Sequence, residues 1–295
     1  MLSGSTWLHL RIPFSYFLMP AYLFALSISP NLSEKNLLWS FVIIHLLLYP
    51  ASNGYNSYFD KDEQSIGGLK NPPPVTSGLY YMSLLFDLLA IVLALVYINK
   101  EFAILLLVYG LASKAYSHPS IRLKKYPIAG WLTVVFFQGI FAFAMCYSGI
   151  NAFPFENLFR EKVILGGALV SLLLFASYPL TQVYQHAEDA RHGDKTMSMI
   201  LGIRGTFYFA MIFFVVAAVG FIYYLNSYFG GDWSMMFLFA LLPTVLFFFF
   251  WFIHVLKDTR NASHRMAMWQ NFVSATCFNG FFIWLFIETS HILQL

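Results

Sequence analysis

The sequence predicts an all-α, polytopic membrane protein: nine transmembrane helices around a central cavity, built as a parallel four-helix pseudo-repeat plus a ninth helix. Three observations predict it. Of the 295 residues, 59% are hydrophobic and 11% are charged, less than half of the roughly 25% charge usual in soluble domains. Apolar runs of about 20 residues recur along the chain, the length that crosses a hydrocarbon core of about 30 Å. One polar pattern also occurs twice, 129 residues apart: Tyr49-Pro50 matches Tyr178-Pro179, and Asn53, Asn56 and Asp60 match Gln182, Gln185 and Asp189.

The spans are expected at about 13–29, 37–59, 79–98, 102–119, 127–149, 162–187, 204–225, 234–256 and 270–292. Pro20, Pro50, Pro179 and Pro243 fall inside them, where neighbouring helices re-satisfy the freed carbonyls. Arg11 followed by an apolar run reads as a retained first span, because the run continues to about Ile28 without a small-residue cleavage site. The connecting segments are short, so one domain covers 1–295, with pseudo-repeats at about 10–126 and 127–268 and a ninth helix at about 270–292. Cys146 and Cys277 both lie in apolar runs and give no disulfide framework or metal pattern.

Lys and Arg set the expected orientation. Arg11, Lys61, Lys70, Arg122, Lys124, Lys125, Arg191, Lys195, Arg204, Lys257, Arg260 and Arg265 fall on one side, against Lys35, Lys100, Arg160 and Lys162 on the other. The N-terminus and loops 2–3, 4–5, 6–7 and 8–9 are therefore expected in the cytoplasm and the C-terminus outside. The two Asp motifs end spans 2 and 6, four crossings apart, so they emerge on the same face. The repeat is thus parallel, about an axis along the membrane normal.

On a helix, positions i, i+3 and i+7 share a face. Asn53, Asn56 and Asp60 form one polar stripe, and Gln182, Gln185 and Asp189 form another. Amides and carboxylates are costly in a bilayer and mark function there. Loop 2–3 continues Asp60-Lys61-Asp62-Glu63 and later brings Lys70. Loop 6–7 carries Glu188-Asp189 and later Lys195. Such hard oxygen donors suit Mg²⁺, which binds a few carboxylates together with substrate phosphates. Two facing clusters of this kind hold a pair of Mg²⁺ ions around one diphosphate, with Lys and Arg taking the remaining phosphate charge. Either loop alone also reads as a solvated interfacial loop; the matching offset favours the metal site. Loop 4–5, Tyr116 to Lys125, reads in isolation as a positive-inside anchor, as does loop 8–9. Topology places loop 4–5 between the acidic loops. His186 and His192 are the histidines near this site, and the histidine spacing fits no zinc pattern.

Three segments resemble the UbiA superfamily of intramembrane prenyltransferases. Asn53-x-x-Asn56-x-x-x-Asp60, then Asn71-Pro72 and Ser77-Gly78, is similar to its first Asp-rich motif and the downstream turn. Tyr116-Ser117-x-Pro119-x-x-Arg122-Leu123-Lys124 is similar to its basic loop. Gln185-x-x-x-Asp189-x-x-x-Gly193-x-x-Thr196 is similar to its second Asp-rich motif. The resemblance implies a nine-helix bundle with a cavity open laterally to lipid, and Mg²⁺-dependent transfer of a prenyl group from a polyprenyl diphosphate to a lipophilic acceptor. It assigns Asn56, Asp60 and Asp189 to the metal and diphosphate, and Arg122, Lys124, Lys70 and Lys195 to the phosphate charge. Arg11 would stand at the acceptor, and Tyr116 would line the substrate site.

The chain departs from the family pattern at Gln64 and Gln185, where acids are usual. Asp62 or Glu63 would substitute in the first motif and Glu188 in the second. Three other readings stay open at this point: a transporter, a catalytically silent lipid-binding relative, and a cyclase that ionises the donor without an acceptor. Nucleic acid is not an expected partner, and the acceptor, donor length and oligomeric state are not specified.

Overall fold

The computed structural model describes residues 3–290, and nine long helical rods hold most of them. These are α1 (Gly4–Ser27), α2 (Glu34–Asp60), α3 (Ser77–Tyr97), α4 (Lys100–Ser117), α5 (Pro127–Asn151), α6 (Glu161–Gln182), α7 (Met197–Tyr228), α8 (Trp233–Lys257) and α9 (His264–Ser290). All except α4 are long and apolar enough to cross a membrane; α4 has 18 residues but carries Lys100, Glu101 and Lys114. Each predicted span overlaps one rod among the described residues. The end of the ninth predicted span, 291–292, lies outside them.

Local chemistry sets the ends and breaks. Ser3 caps α1 by accepting from the Thr6 N–H, and Asn99 caps α4 by accepting from the Phe102 N–H at 2.8 Å, each satisfying an orphan donor of the first turn. α1 is interrupted at Arg11, whose backbone is left-handed (φ 48°), and resumes as a tight 3₁₀ turn that opens with Ile12 and Pro13. α2 widens into a π-helical stretch at Val42–Leu48, just before Pro50. That placement absorbs the N–H that proline lacks.

α5 has the same widening at Val135–Phe141, and its cause is visible. Ser171 of α6 inserts into the helix ladder, its Oγ donating to Val135 O and accepting from Ile140 N–H, both at 2.9 Å. Only glycine fits at position 139: a Cβ there would lie 2.2 Å from Ser171 Oγ and 2.8 Å from its Cα. α5 and α6 therefore cross at backbone contact, the small-residue packing expected between membrane helices.

The sixth span differs from its prediction. α6 ends at Gln182, Val183–Gln185 form a turn, and a separate short helix runs His186–Arg191. Pro179 has withdrawn one bond from the last turn of α6, and the chain tightens through a Gln185 N–H to Gln182 O bond of 2.9 Å. Gln182, Gln185 and Asp189 are therefore not one straight helical stripe.

An aromatic core holds the rods on the side away from the motif loops. Phe24 of α1 stacks on Phe282 of α9 at 4.6 Å and meets Phe143 of α5 at 5.0 Å and Tyr224 of α7 at 5.3 Å. A second cluster forms around Trp251, Phe207 and Phe252 of α7 and α8. The outer faces carry exposed Leu, Val and Phe side chains such as Val96, Val219, Phe239 and Leu246, the surface a helix bundle presents to lipid.

Candidate active site: an acid-lined mouth on an apolar cavity

A cavity of about 570 Å³ runs inside the bundle, lined by residues from every rod except α3. Its deep walls are apolar and aromatic, including Phe137, Leu173, Phe214, Leu241 and Phe278. At the end of α2 the lining becomes polar.

α2 supplies Asn53, Asn56 and Asp60 to this lining, as their i, i+3, i+7 spacing predicts. α4 sets the register. Ser113 Oγ bonds Ser52 Oγ at 2.5 Å, and Ser117 Oγ accepts from Asn56 Nδ2 at 2.9 Å. With its amide nitrogen turned to Ser117, Asn56 has its carbonyl oxygen to offer a cation. Asp60 is the last residue of α2, which closes on a left-handed Lys61 (φ 52°). A carboxylate there stands at the negative end of the helix dipole and needs a nearby cation. Lys124 provides it, with Nζ at 2.5 Å from Asp60 Oδ1; Arg122 Nη1 lies at 3.6 Å from the same oxygen.

The second motif reaches the same cavity from α6, the turn and the short helix: Gln182, Gln185 and Asp189 all line it. Gln185 Nε2 contacts Ser65 O at 3.5 Å, so its amide oxygen too is the atom left for a ligand. Asp189 Oδ2 is buried and has no hydrogen-bond partner among the described residues. Burial pushes the Asp189 carboxyl up to about 7; Lys124 opposes this, while Asp194, Asp62 and Asp60 add to it. Asp62 also lines the cavity, and burial together with the neighbouring Asp60 carries it to about 6. These carboxylates are close enough to repel one another, and they are held together by Lys124 and Arg122.

Asp194 is the residue that sequence reasoning missed. It is 3% exposed and lines the cavity. Arg122 donates to it from Nε and Nη2 at 2.9 Å each, and Lys124 Nζ lies 3.3 Å away. It sits in a loop on no helical stripe, so helical periodicity could not find it; its one signal is its place between Gly193 and Lys195, in the trailing part of the second motif.

The remaining predicted residues divide. Tyr116 lines the cavity and shares a hydroxyl–hydroxyl hydrogen bond with Tyr178. Arg11 lines it as well, donating to Gly67 O at 3.0 Å and Asn53 O at 3.3 Å. Those bonds fasten loop 61–76 to α2, aided by His9 to Pro73 O and His264 to Ile66 O. Glu188 is buried behind the lining, accepting from the Glu63 N–H at 3.2 Å and from Arg191 at 3.2 Å. Its carboxylate gathers with Asp62 and His192, their ligand atoms within 4.8 Å of one another. Glu63, Lys70 and Lys195 are exposed and are not brought to the cavity. Glu63 takes part through its backbone, and Lys195 is tied by its N–H to Lys125 O at 3.3 Å.

The sequence profile of the UbiA prenyltransferase family matches residues 16–286. The chain belongs to that family. No curated protein sequence matches it. Its fold is that of solved UbiA structures at low sequence identity. A UbiA homolog from Archaeoglobus fulgidus bound to Cd²⁺ superposes with a TM-score of 0.65 at 16% identity, covering 96% of this chain and 99% of that one. A UbiA homolog from Archaeoglobus fulgidus bound to GPP and Mg²⁺ gives 0.64 at 17% identity, with the same coverage. A structure concerning digeranylgeranylglyceryl phosphate synthase gives 0.59 at 18% identity, covering 95% and 98%. Within this UbiA fold the two Asp-rich motifs and the basic loop, far apart in the chain, meet at one mouth. Asp62 stands in the lining, whereas Gln64, at the position where the family pattern has an acid, is exposed.

Proposed function

We propose that this UbiA-family protein transfers a prenyl group from a prenyl diphosphate to a lipophilic acceptor within the membrane, with Mg²⁺ as the bridging cation and the motif mouth facing the cytoplasm. The observation that carries the reading is the composition of the mouth: Asp60, Asp62, Asp189 and Asp194 on the polar rim of an apolar cavity. Asp60 and Asp194 are paired with Lys124 and Arg122, but Asp62 and Asp189 are not, and a divalent cation between them and a diphosphate removes the remaining repulsion. An apolar chamber behind such a rim suits a molecule with a polyanionic head and a hydrocarbon tail. The Archaeoglobus homolog of the same fold holds GPP with Mg²⁺ and DMAPP with Mg²⁺.

The residues present fit the ion. Asp189 Oδ2 is buried without a partner among the described residues, and the Asn56 and Gln185 nitrogens are engaged so that their oxygens remain. With Asp60 and Asp62 these make the hard, carboxylate-rich donor set that Mg²⁺ takes. When bound, Mg²⁺ would polarise the diphosphate and stabilise it as a leaving group.

The chain's own side chains do the rest. Lys124, in the cavity lining, offers N–H donors to the phosphate oxygens as negative charge grows on them, and Arg122, which stands outside the lining, holds Asp194 and the loop in place behind it. The Tyr116–Tyr178 pair presents aromatic rings to the carbon that becomes cationic as its C–O bond lengthens. Loop 61–76, fastened by Arg11, His9 and His264, helps enclose the mouth and keep water from that carbon. The acceptor then attacks, and a carboxylate of the rim, or the departing diphosphate, takes its proton.

The test uses purified protein, labelled geranyl diphosphate and Mg²⁺, with Asp60→Ala and Asp189→Ala for comparison. Metal-dependent binding by the wild type, abolished in both variants, is expected. Wild-type protein that ignores the diphosphate would end the reading, and intact binding in both variants would move the site elsewhere.

A further inference from the structure

The wall formed by α8 and α9 holds a polar group for which the prenyl donor has no use. Gln270 is 4% exposed and lines the cavity together with Thr244, Asn271 and Ser274. Its Nε2 reaches Thr244 O at 3.4 Å and Ser274 Oγ at 3.0 Å. The Thr244 carbonyl carries no proton, so the amide nitrogen must face it, and the orientation of the side chain follows. Gln270 Oε1 is then a buried acceptor without a partner among the described residues, and the Thr244 hydroxyl, which also has none, does not reach it. Ser274 Oγ, already accepting from Gln270, keeps its own hydrogen free to donate.

A buried amide oxygen left unmade costs the desolvation it suffered, and native cores rarely tolerate that without a reason. The apolar lining contributed by α8 and α9, including Leu241, Phe248 and Phe278, supplies nothing to this oxygen. A polyprenyl chain supplies nothing either, having no O–H or N–H. The complement of Gln270 Oε1 is a ligand hydrogen-bond donor.

We propose that Gln270, with Thr244 and Ser274, forms the acceptor-recognition subsite, and that it selects a lipophilic acceptor presenting a hydroxyl, a phenol or lipid alcohol, over one presenting only carbonyl or ether oxygens. The assignment rests on the reading of the cavity as a prenyl-transfer site. Gln270 receives the acceptor's O–H, and Ser274 donates to the same oxygen. This orients the acceptor against the α8–α9 wall, while the diphosphate is held at the α2–α6 mouth. A carbonyl could take the Ser274 O–H but would leave Gln270 Oε1 facing a second acceptor, and the site disfavours it on that ground.

The experiment compares para-heptylphenol with para-heptylanisole, in which a methyl group replaces the hydroxyl hydrogen, binding to wild-type protein and to Gln270→Met in one detergent. Taking the wild-type to variant ratio for each probe cancels its partition into micelles. Phenol affinity is expected to fall about tenfold in the variant and anisole affinity to change less than about twofold. Thr244→Val is measured in parallel and carries the same comparison should Gln270→Met fail to fold. Equal changes for the two probes, an unchanged phenol affinity, or a wild type that binds neither would overturn the subsite. Binding of geranyl diphosphate with Mg²⁺ to the wild type is recorded separately. Its absence removes the donor reading, whereas the phenol–anisole comparison reports on the α8–α9 wall alone.

Discussion

Lys124 Nζ stands 2.5 Å from Asp60 Oδ1 and 3.3 Å from Asp194 Oδ2, bridging the first Asp motif to the loop after the second. The Lys124 side chain is 12% exposed, and the side chains of Asp60 and Asp194 are 4% and 2% exposed. One ammonium thus holds together two acidic segments that would otherwise repel each other, and in the proposed reaction it turns toward the incoming phosphate. Lys124→Met keeps the stem and removes the charge. Geranyl diphosphate affinity with Mg²⁺ present is expected to fall by on the order of 10–100-fold, the worth of a charge-assisted hydrogen bond. Equilibrium binding of labelled donor measures it, and an unchanged affinity would remove Lys124 from the phosphate site.

The raised carboxyls predict how pH acts. Asp62 at about 6 and Asp189 at about 7 both lie above the ordinary 3.8 because burial penalises their charged forms. Between the unfolded and folded values the folded protein binds more protons, so without metal its stability falls as pH rises from about 4 to about 7. Mg²⁺ requires the ionised forms and so opposes this trend. The shift in melting temperature caused by Mg²⁺ should be small at pH of about 5.5 and larger at about 7.5, while in EDTA the protein melts higher at the lower pH. Thermal unfolding at the two pH values decides it; a Mg²⁺ shift that ignores pH would show that these carboxyls are not the ligands.

Asn56 tests a finer point. Its oxygen faces the site because Ser117 Oγ takes its nitrogen at 2.9 Å. Ser117→Ala leaves that nitrogen without a partner and frees the amide to turn over. The Mg²⁺ concentration for half-maximal donor binding should rise several-fold, from a loss of about 1 kcal/mol, with donor binding at saturating Mg²⁺ restored. A metal titration identical to wild type would mean that Asn56 does not touch the ion.

These residues also show what the sequence could disclose. The α2 stripe was legible because Asn53, Asn56 and Asp60 lie on an unbroken helix, where periodicity carries directly into space. The basic loop was legible in composition, but its partners were not: that Arg122 grips Asp194 follows from how two distant loops pack, and nothing local in either encodes it. The second stripe was half legible. Gln182, Gln185 and Asp189 do reach the cavity, but across a turn that Pro179 precedes, so a period of 3.6 described them only by coincidence of direction. Gln270 stayed hidden because one amide in an apolar helix has no pattern. Its significance appears only once the Thr244 carbonyl is seen to fix which way it points.

One ion pair away from the cavity bears on stability. Asp87 of α3 and Lys114 of α4 form an ion pair within the bundle, their side chains 13% and 19% exposed. Lys114 Nζ also lies 5.0 Å from the Tyr55 ring centroid of α2, so the pair ties three helices together. α3 contributes nothing to the cavity lining, and these contacts help hold it to the two helices that do. Removing one partner strands a charge in an apolar layer, so Asp87→Leu or Lys114→Met alone should cost about 3–5 kcal/mol. Replacing both, Asp87→Leu with Lys114→Met, removes the stranded charge together with its counter-ion and should recover most of that loss. Unfolding of the four proteins in one detergent completes the cycle. If the double variant is as unstable as the sum of the singles, the two side chains act independently and the pair is not what joins α3 to α4.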